Sequence, residues 1–248
     1  MIDETTRMQL SELKITEVRE IVEAQDRVPE FLSLPFEARL KYLIDDLYQC
    51  KMKERIEKLK RKAQIKYPNA HVNDIVFSPE RSLDQPRITQ LTTCNFINYA
   101  TNIAIYGPTR TGKTFIASVL ANLSCQFGRS TLFIRLPDLI SEFACKETPI
   151  QRKRFIERIA KYDLLVLDEW LSDSYKDEEQ SLLFEIIEKR NNVHSTILIS
   201  QYAPKSWSDR LGKTSKAESI LSRLLLGLCQ IECKDLDISK FSCSMVKI

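Results

Sequence analysis

The segment YGPTRTGKTF, residues 106–115, constrains the fold of this chain more than any other stretch. It matches the phosphate-binding pattern G-x-x-x-x-G-K-S/T, with Gly107, Gly112, Lys113 and Thr114 in register. The run NIAIY before it and the run TFIASVLANLSCQ after it predict a strand and an amphipathic helix. A chance match in a turn would lack these flanks. Backbone N–H groups and the positive end of the helix would therefore face the phosphates of a nucleotide.

We expect this loop to bind ATP together with Mg²⁺. Lys113 would reach the β and γ phosphates, and the Thr114 hydroxyl would bind Mg²⁺. The residues predicted to contact the nucleotide are Gly107, Pro108, Thr109, Arg110, Thr111, Gly112, Lys113, Thr114 and Phe115. Arg110 is a large cation in a loop often made of small residues. It is either a solvent-facing side chain or an extra cation near the γ-phosphate or a neighbouring subunit.

Two acids end the apolar run DLLVLDEW, which is typical of a buried strand. Asp168 is predicted to hold Mg²⁺ through water, and Glu169 to polarise an attacking water. The alternative is a pair of solvated acids at a strand end. An Asp followed directly by a Glu favours hydrolysis over transfer to a small molecule, because a kinase has to keep activated water away from the phosphate.

Polar residues also follow the next predicted strand, STILIS. Gln201 comes directly after it and would hydrogen-bond the γ-phosphate or the attacking water, unless it is an ordinary loop residue. Arg210 and Arg223 lie farther along as candidate cations. The apolar face of ESILSRLL is predicted to pack inward, so the Arg223 guanidinium is expected to point outward to a neighbouring subunit's nucleotide. A surface salt bridge is the alternative for Arg223.

Strands alternate with helices after residue 100, which predicts a parallel sheet covered on both faces. The predicted strands are 102–106, 131–136, 163–168, 195–200 and 228–233. The predicted helices are 113–127, 138–145, 149–161, 177–190 and, in two pieces, 204–226. Thr148 and Pro149 form a helix start signal.

A basic helix is predicted before this sheet. Helical spacing begins at Phe36 and ends near Pro68, and the segment KMKERIEKLKRKAQIK, residues 51–66, has eight Lys or Arg against two Glu. Such a row of cations would bind DNA phosphates without sequence preference, unless it is a solvated helix face. The residues predicted to contact DNA are Lys51, Lys53, Arg55, Lys58, Lys60, Arg61, Lys62 and Lys66. A second cluster, Arg152, Lys153, Arg154 and Arg158, is a further candidate that a solvated helix also explains.

The amino-acid composition argues against a zinc-binding protein and against a membrane protein. Seven cysteines without a C-x-x-C pair, and only two histidines, argue against a zinc site. Cys229 and Cys233 are instead expected on one face of a strand. Because the chain has no apolar run of about 18 residues, we expect no membrane partner and a reduced, cytoplasmic protein.

The segments GPTRTGKT, LLVLDEW, STILISQ with APKSW after it, and ILSRLLLG resemble the IstB helper ATPases of bacterial insertion sequences. These are AAA+ ATPases close to the DnaC-type helicase loaders. The resemblance runs from about residue 40 to about residue 233. It implies an α/β fold of the P-loop NTPase class, of AAA+ type: a five-stranded parallel sheet of order 5-1-4-3-2, flanked by helices and without a C-terminal lid domain. Residues 1–70 would form a helical N-terminal region and residues 71–248 the ATPase domain.

The resemblance also implies roles and partners. It implies ATP-driven self-assembly on double-stranded DNA and work alongside a transposase. It assigns Lys113 and Thr114 to Walker A, Asp168 and Glu169 to Walker B, Gln201 to sensor 1 and Arg223 to the arginine finger. The sequence departs from the family where Arg110 replaces a common Gly and Gln201 a common Asn. The tail CKDLDISKFSC also lacks the usual G-x-S-x-R-like ending, with Lys240 a weak substitute.

The sequence is compatible with four functions. The first is a DNA-binding ATPase that serves a transposase, and the second is a replicative helicase loader with the same chemistry. The third is a small-molecule P-loop kinase, which would need an arginine-bearing lid and an acceptor pocket and would not need Glu169. The fourth is a nucleotide switch that binds ATP without hydrolysing it.

Overall fold

The structure is a computed structural model that describes residues 2–77 and 83–234. It divides into two compact units, Met1–Lys58 and Leu59–Ile248. Residues 59–70, which the sequence assigned to the N-terminal region, group with the second unit. The assignment of functional domains at residues 70 and 71 stays a prediction.

The first unit is helical. Its helices are α1 (Glu4–Glu12), α2 (Glu17–Asp26), α3 (Pro29–Leu32) and the greater part of α4 (Phe36–Ala63). The Asp3 carboxylate begins α1 by accepting a hydrogen bond from the Thr6 N–H at 2.8 Å. Helix α4 has 28 residues and ends at Ala63, so the basic segment is helical up to residue 63 and the helix ends before the predicted end near Pro68.

The second unit contains one parallel sheet. Its strands are β1 (Ile103–Tyr106), β2 (Thr131–Arg135), β3 (Leu164–Asp168), β4 (Ser195–Ser200) and β5 (Cys229–Glu232). They lie in the order β2-β3-β4-β1-β5, and each adjacent pair is parallel. This is the predicted order read from the other edge of the sheet. Each predicted strand is present, with ends that differ by at most one residue.

Helices cover both faces of this sheet. They are α5 (Gln85–Thr92), α6 (Asn95–Asn98), α7 (Lys113–Gln126), α8 (Leu136–Ala144), α9 (Pro149–Ala160), α10 (Asp177–Arg190), α11 (Trp207–Arg210) and α12 (Ser215–Leu225). Thr148 begins α9 with a capping box that includes Gln151, as the start signal predicted.

The two faces form separate apolar cores, because successive side chains of a strand point to opposite sides of the sheet. Ile103 and Ile105 of β1 pack with α7, whereas Ala104 packs in the cluster that contains the apolar residues of α8 to α12. Cys229 and Cys233 lie in the same cluster as α7, which confirms that they share one face.

Two sequence segments fall partly or wholly outside the described residues. Lys240 and nearly all of the tail CKDLDISKFSC lie there, as do residues 78–82 of the segment FSPERSLDQPR. Within residues 2–77 and 83–234, the structure contains no helix with the length and apolar composition needed to span a membrane.

Candidate nucleotide site

The glycine-rich loop joins the end of β1 to the start of α7, between the ends of β4 and β5. Gly107 donates its N–H to the Ser200 carbonyl at 3.3 Å, and the Cys233 N–H donates to the Tyr106 carbonyl at 2.7 Å. The φ of Gly107 is 140°, and a Cβ there would stand 2.0 Å from the Cys233 carbonyl oxygen. Glycine is therefore required at this position, because both the backbone angle and the close approach exclude a side chain.

The Lys113 side chain contacts the backbone of the glycine-rich loop. Its ammonium is buried and donates a hydrogen bond to the Pro108 carbonyl at 2.5 Å. Burial lowers the pKa of Lys113, and the nearby charges of Cys233 and Asp168 act in the opposite direction. Lys113 is also the first residue of α7, so a phosphate in the loop would meet both the ammonium and the positive helix end.

The side chains of Thr114, in the first turn of α7, and of Asp168, the last residue of β3, are in contact. The Thr114 hydroxyl donates to Asp168 Oδ2 at 3.1 Å, and the Glu169 N–H donates to Asp168 Oδ1 at 2.9 Å. Asp168 is 4% exposed, and burial raises the pKa of its carboxyl group. A hydroxyl and a carboxylate side by side fit Mg²⁺, which takes a few protein oxygens and completes its shell with water and phosphate.

Glu169 lies next to this pair and is ion-paired. Arg135 Nη2 at the end of β2 is 2.6 Å from Glu169 Oε2, and this hydrogen bond is the main cause of the raised pKa of Arg135. Sequence analysis missed Arg135. The signals are its place at the end of the run TLFIR and the implied strand order, in which β2 lies beside β3.

Gln201 is exposed and follows β4 directly. Strand β4 lies between β3 and β1, so its end adjoins both the loop and the acidic pair. The Ser200 hydroxyl donates to the Trp170 carbonyl at 2.8 Å, which ties the end of β4 to the segment after Glu169. The sensor role of Gln201 stays a prediction.

Arg223 is held by its own chain instead of pointing freely outward. Its guanidinium forms an ion pair with Glu188 of α10, lies 5.3 Å from the centre of the Phe184 ring and donates to the Ser219 carbonyl at 2.7 Å. Its side chain is 26% exposed. This is the salt bridge that the sequence analysis gave as the alternative for Arg223, and its partner Glu188 is brought close by the packing of α10 against α12. The arginine-finger role stays a prediction.

Arg110 is exposed and has a φ of 65°. This left-handed backbone gives a physical reason why glycine is common at this position, since a residue with a Cβ is strained there. The neighbouring loop residues are anchored: the Thr111 hydroxyl donates to the Pro108 carbonyl at 2.9 Å, and the Phe115 ring lies 5.8 Å from the Tyr67 ring.

The predicted DNA-contacting residues lie on α4 and just after it. Two of them are half-buried, Lys51 and Lys60, and the others are exposed: Lys53, Arg55, Lys58, Arg61, Lys62 and Lys66. Lys51 is 2.5 Å from Glu17, and Lys58 is 3.6 Å from Glu54. The charge of Lys66 acts on Asp168 and lowers its pKa, against the larger effect of burial. In the second cluster, Arg152 pairs with Glu178 and Arg158 with Glu142.

The sheet order, the glycine-rich loop before α7 and the acids at the end of β3 define a P-loop nucleotide-binding protein of the AAA+ class. Residues 8–238 match the family described as IstB-like ATP binding protein. The chain belongs to that family, and the resemblance of the motifs is confirmed.

Individual relatives agree with this family. An ATP-binding protein of insertion sequence IS1162 from Pseudomonas fluorescens is 31% identical over 201 residues, which make up 81% of this chain and 87% of that protein. The insertion sequence ATP-binding protein y4pL of Sinorhizobium fredii is 31% identical over 152 residues, or 61% of this chain and 62% of that protein.

Solved structures share the fold. DnaI matches with a TM-score of 0.57 over 68% of this chain and 90% of that chain, at 17% identity. The DnaC helicase loader matches with a TM-score of 0.52 over 68% of this chain and 98% of that chain, at 21% identity. These likenesses bear on the AAA+ fold, and the family membership implies the use of a nucleotide.

Proposed function

We propose that this protein binds and hydrolyses ATP, assembles on double-stranded DNA and helps a transposase to select or prepare its target. The main support is the arrangement of oxygen ligands at the end of β3. The Thr114 hydroxyl and the Asp168 carboxylate lie 3.1 Å apart beside Glu169, in a chain of the IstB-like family. Hard oxygen ligands next to a further carboxylate suit metal-assisted attack of water on a phosphate.

In the proposed reaction the loop N–H groups and Lys113 bind the phosphates, and the Lys113 ammonium exchanges the Pro108 carbonyl for a phosphate oxygen. Thr114 and Asp168 would hold Mg²⁺, which when bound would supply positive charge next to the phosphoryl group. Glu169 accepts the proton of the attacking water, for which its Oε2 has to leave the ion pair with Arg135 or share it. Gln201 orients the water or the γ-phosphate.

The experiment is steady-state ATP hydrolysis with and without duplex DNA, for the wild type and Glu169→Gln. We expect DNA to stimulate the wild type. The variant should lose about 10²- to 10⁴-fold in turnover, the usual contribution of a general base, and should still bind ATP. Glu142→Gln is the matched control, because it makes the same change at an exposed acid on α8 and should keep the rate.

Three outcomes would contradict parts of the proposal. Hydrolysis that ignores DNA would count against assembly on DNA. An unchanged rate in Glu169→Gln would count against the mechanism and would leave the kinase alternative open. ATP binding without turnover in the wild type would favour the nucleotide switch.

A helicase loader is the second candidate, supported by the similarity to the DnaC and DnaI structures. The two functions share the nucleotide chemistry and differ in the protein partner. Adding the purified protein to a transposase strand-transfer assay, and in parallel to a helicase-loading assay, separates them. We expect stimulation of strand transfer. Stimulation of helicase loading alone would favour the second candidate.

A further inference from the structure

The segment 169–172, directly after β3, has a backbone that needs outside support. Glu169 and Leu171 have φ values of 59° and 57°, in the left-handed region where residues with a Cβ are strained. Trp170 between them is fully buried. The direction of the Glu169 side chain therefore depends on contacts that hold this turn in place.

Part of that support comes from β4. The Trp170 N–H donates to the Ile199 carbonyl at 2.7 Å, and the Ser200 hydroxyl donates to the Trp170 carbonyl at 2.8 Å. Within the segment, the Ser172 N–H donates to the Glu169 carbonyl at 3.2 Å. The carbonyl groups of residues 171 and 172 need other donors.

Arg210 of α11 supplies both remaining bonds. Its Nε donates to the Leu171 carbonyl at 2.5 Å, and its Nη2 donates to the Ser172 carbonyl at 2.8 Å. One planar guanidinium thus binds two successive backbone carbonyl groups. Lysine cannot reproduce this geometry, because its ammonium is a single point charge on a flexible stem.

The same guanidinium also contacts the segment after β4. Its central carbon lies 3.7 Å from the centre of the Tyr202 ring, and Tyr202 follows Gln201 directly. Tyr202 is held in turn by the Ser200 hydroxyl, which accepts from its N–H at 3.1 Å, and by Trp207 Nε1, which donates to its carbonyl at 3.0 Å. Arg210 therefore lies between the two segments that carry Glu169 and Gln201.

We infer that Arg210 is a positioning residue that holds the segments after β3 and β4 in one arrangement, so that Glu169 and Gln201 act on the same nucleotide. This inference rests on the proposed ATP hydrolysis. Arg210 acts through the backbone of residues 171 and 172 and through Tyr202, whereas the predicted phosphate contacts belong to the loop before α7. Its loss should therefore affect turnover more than nucleotide binding.

The kinetic test compares Arg210→Gln, Arg210→Lys and Lys213→Gln. Lys213 is the matched control, because it is a nearby exposed cation that pairs with Asp209 at 2.7 Å. We expect Arg210→Gln to lose roughly 10- to 100-fold in kcat, the scale of a displacement near 1 Å at a catalytic group, with little change in KM. Arg210→Lys should recover only part of the rate, and Lys213→Gln should match the wild type.

Hydrogen exchange gives a readout that does not need catalysis. In Arg210→Gln, peptides covering residues 169–172 and 200–203 should exchange faster, while α7 keeps its protection. The only two tryptophans of the chain, Trp170 and Trp207, lie in this network. Intrinsic fluorescence should therefore change with Arg210→Gln and not with Lys213→Gln.

These measurements either support or overturn the positioning role of Arg210. Wild-type kcat in Arg210→Gln, full recovery in Arg210→Lys, or a loss of ATP affinity equal to the loss of kcat overturns the inference. If the wild type does not hydrolyse ATP, the proposed function fails first. Exchange then decides: faster exchange confined to the two segments supports the positioning role, and unchanged exchange overturns it.

Discussion

Burial in the folded state disfavours the ionised form of the Asp168 carboxyl group. Burial raises the pKa of its carboxyl group above the ordinary value of 3.8, and the opposing effects of the Glu169 N–H, Lys66 and Thr114 do not cancel this. Because the folded state has the higher pKa, ionisation of this group favours the unfolded state. Its contribution to the free energy of unfolding therefore falls as pH rises from the ordinary value through the raised one.

We predict that Asp168→Asn raises the thermal unfolding temperature at neutral pH without nucleotide. The gain should disappear as pH falls below 3.8, where the wild-type carboxyl is protonated in both states. Adding Mg²⁺ to the ATP-bound protein should stabilise the wild type further and should have a smaller effect on the variant. Thermal unfolding over a pH series tests this, with Asp173→Asn as the exposed control. A variant less stable than the wild type at neutral pH would contradict it.

The second half of α4 is rich in lysine and arginine, and some of these side chains form ion pairs with glutamates. Lys51 is shared between Glu17 and Glu54, at 2.5 Å and 3.9 Å, and Lys58 also pairs with Glu54. The exposed pair of Lys58 with Glu54 contributes little to stability, so phosphate could replace that carboxylate. Arg61 and Lys62 are exposed near the end of the helix and are the sharper test of DNA binding.

We predict that replacing Arg61 and Lys62 with Gln weakens DNA binding at low salt. The slope of log affinity against log salt should fall by about 0.9 for each phosphate that these residues neutralise in the wild type. Fluorescence anisotropy with duplex DNA over a salt series measures this. Replacing Lys161 and Lys189 with Gln removes the same charge at exposed residues outside both candidate clusters and should leave the slope unaltered. An equal effect of both double variants would point to net charge alone.

The proposed assembly of several subunits can be tested at Arg223, the residue predicted to contact a neighbouring subunit's nucleotide. In the single chain its guanidinium is occupied by Glu188 and Phe184 of α10. An arginine finger supplied to another subunit has to leave such an ion pair when the subunits meet. The contribution of such a residue to turnover is about 10³- to 10⁵-fold in GTPases that use one.

We predict that Arg223→Ala and Lys113→Ala are each inactive and that their mixture regains part of the ATPase activity. In the mixture, an intact arginine can meet an intact loop across one interface. Glu188→Gln is the control: it frees Arg223 from its ion pair and should keep or raise the activity. If every mixture stays inactive, Arg223 has a role within its own subunit.

Local patterns account for most of what could be predicted. Helices α7, α9 and α10 begin at the predicted residues, because hydrophobic period, Thr148 and Pro149 act over a few residues of chain. The proximity of Thr114 and Asp168 also follows from the sequence, since Thr114 lies in the first turn of the helix after the loop and Asp168 ends a predicted parallel strand. Arg135 and Arg210 could not be assigned, because a guanidinium at the end of a long side chain can reach several neighbouring elements and the strand order does not say which partner it takes.

The sequence by itself determined the class of the fold, the phosphate-binding loop and the acidic pair. These depend on residue types at short fixed spacings, and the resemblance of the motifs supplied the strand order. Only the tertiary structure decided where the charged side chains end up: Arg135 on Glu169, Arg210 on the carbonyl groups of residues 171 and 172, and Arg223 on Glu188. A guanidinium lies at the end of a long side chain, so its partner depends on which elements pack side by side. That packing is a property of the folded sheet and its helices, and no local pattern records it.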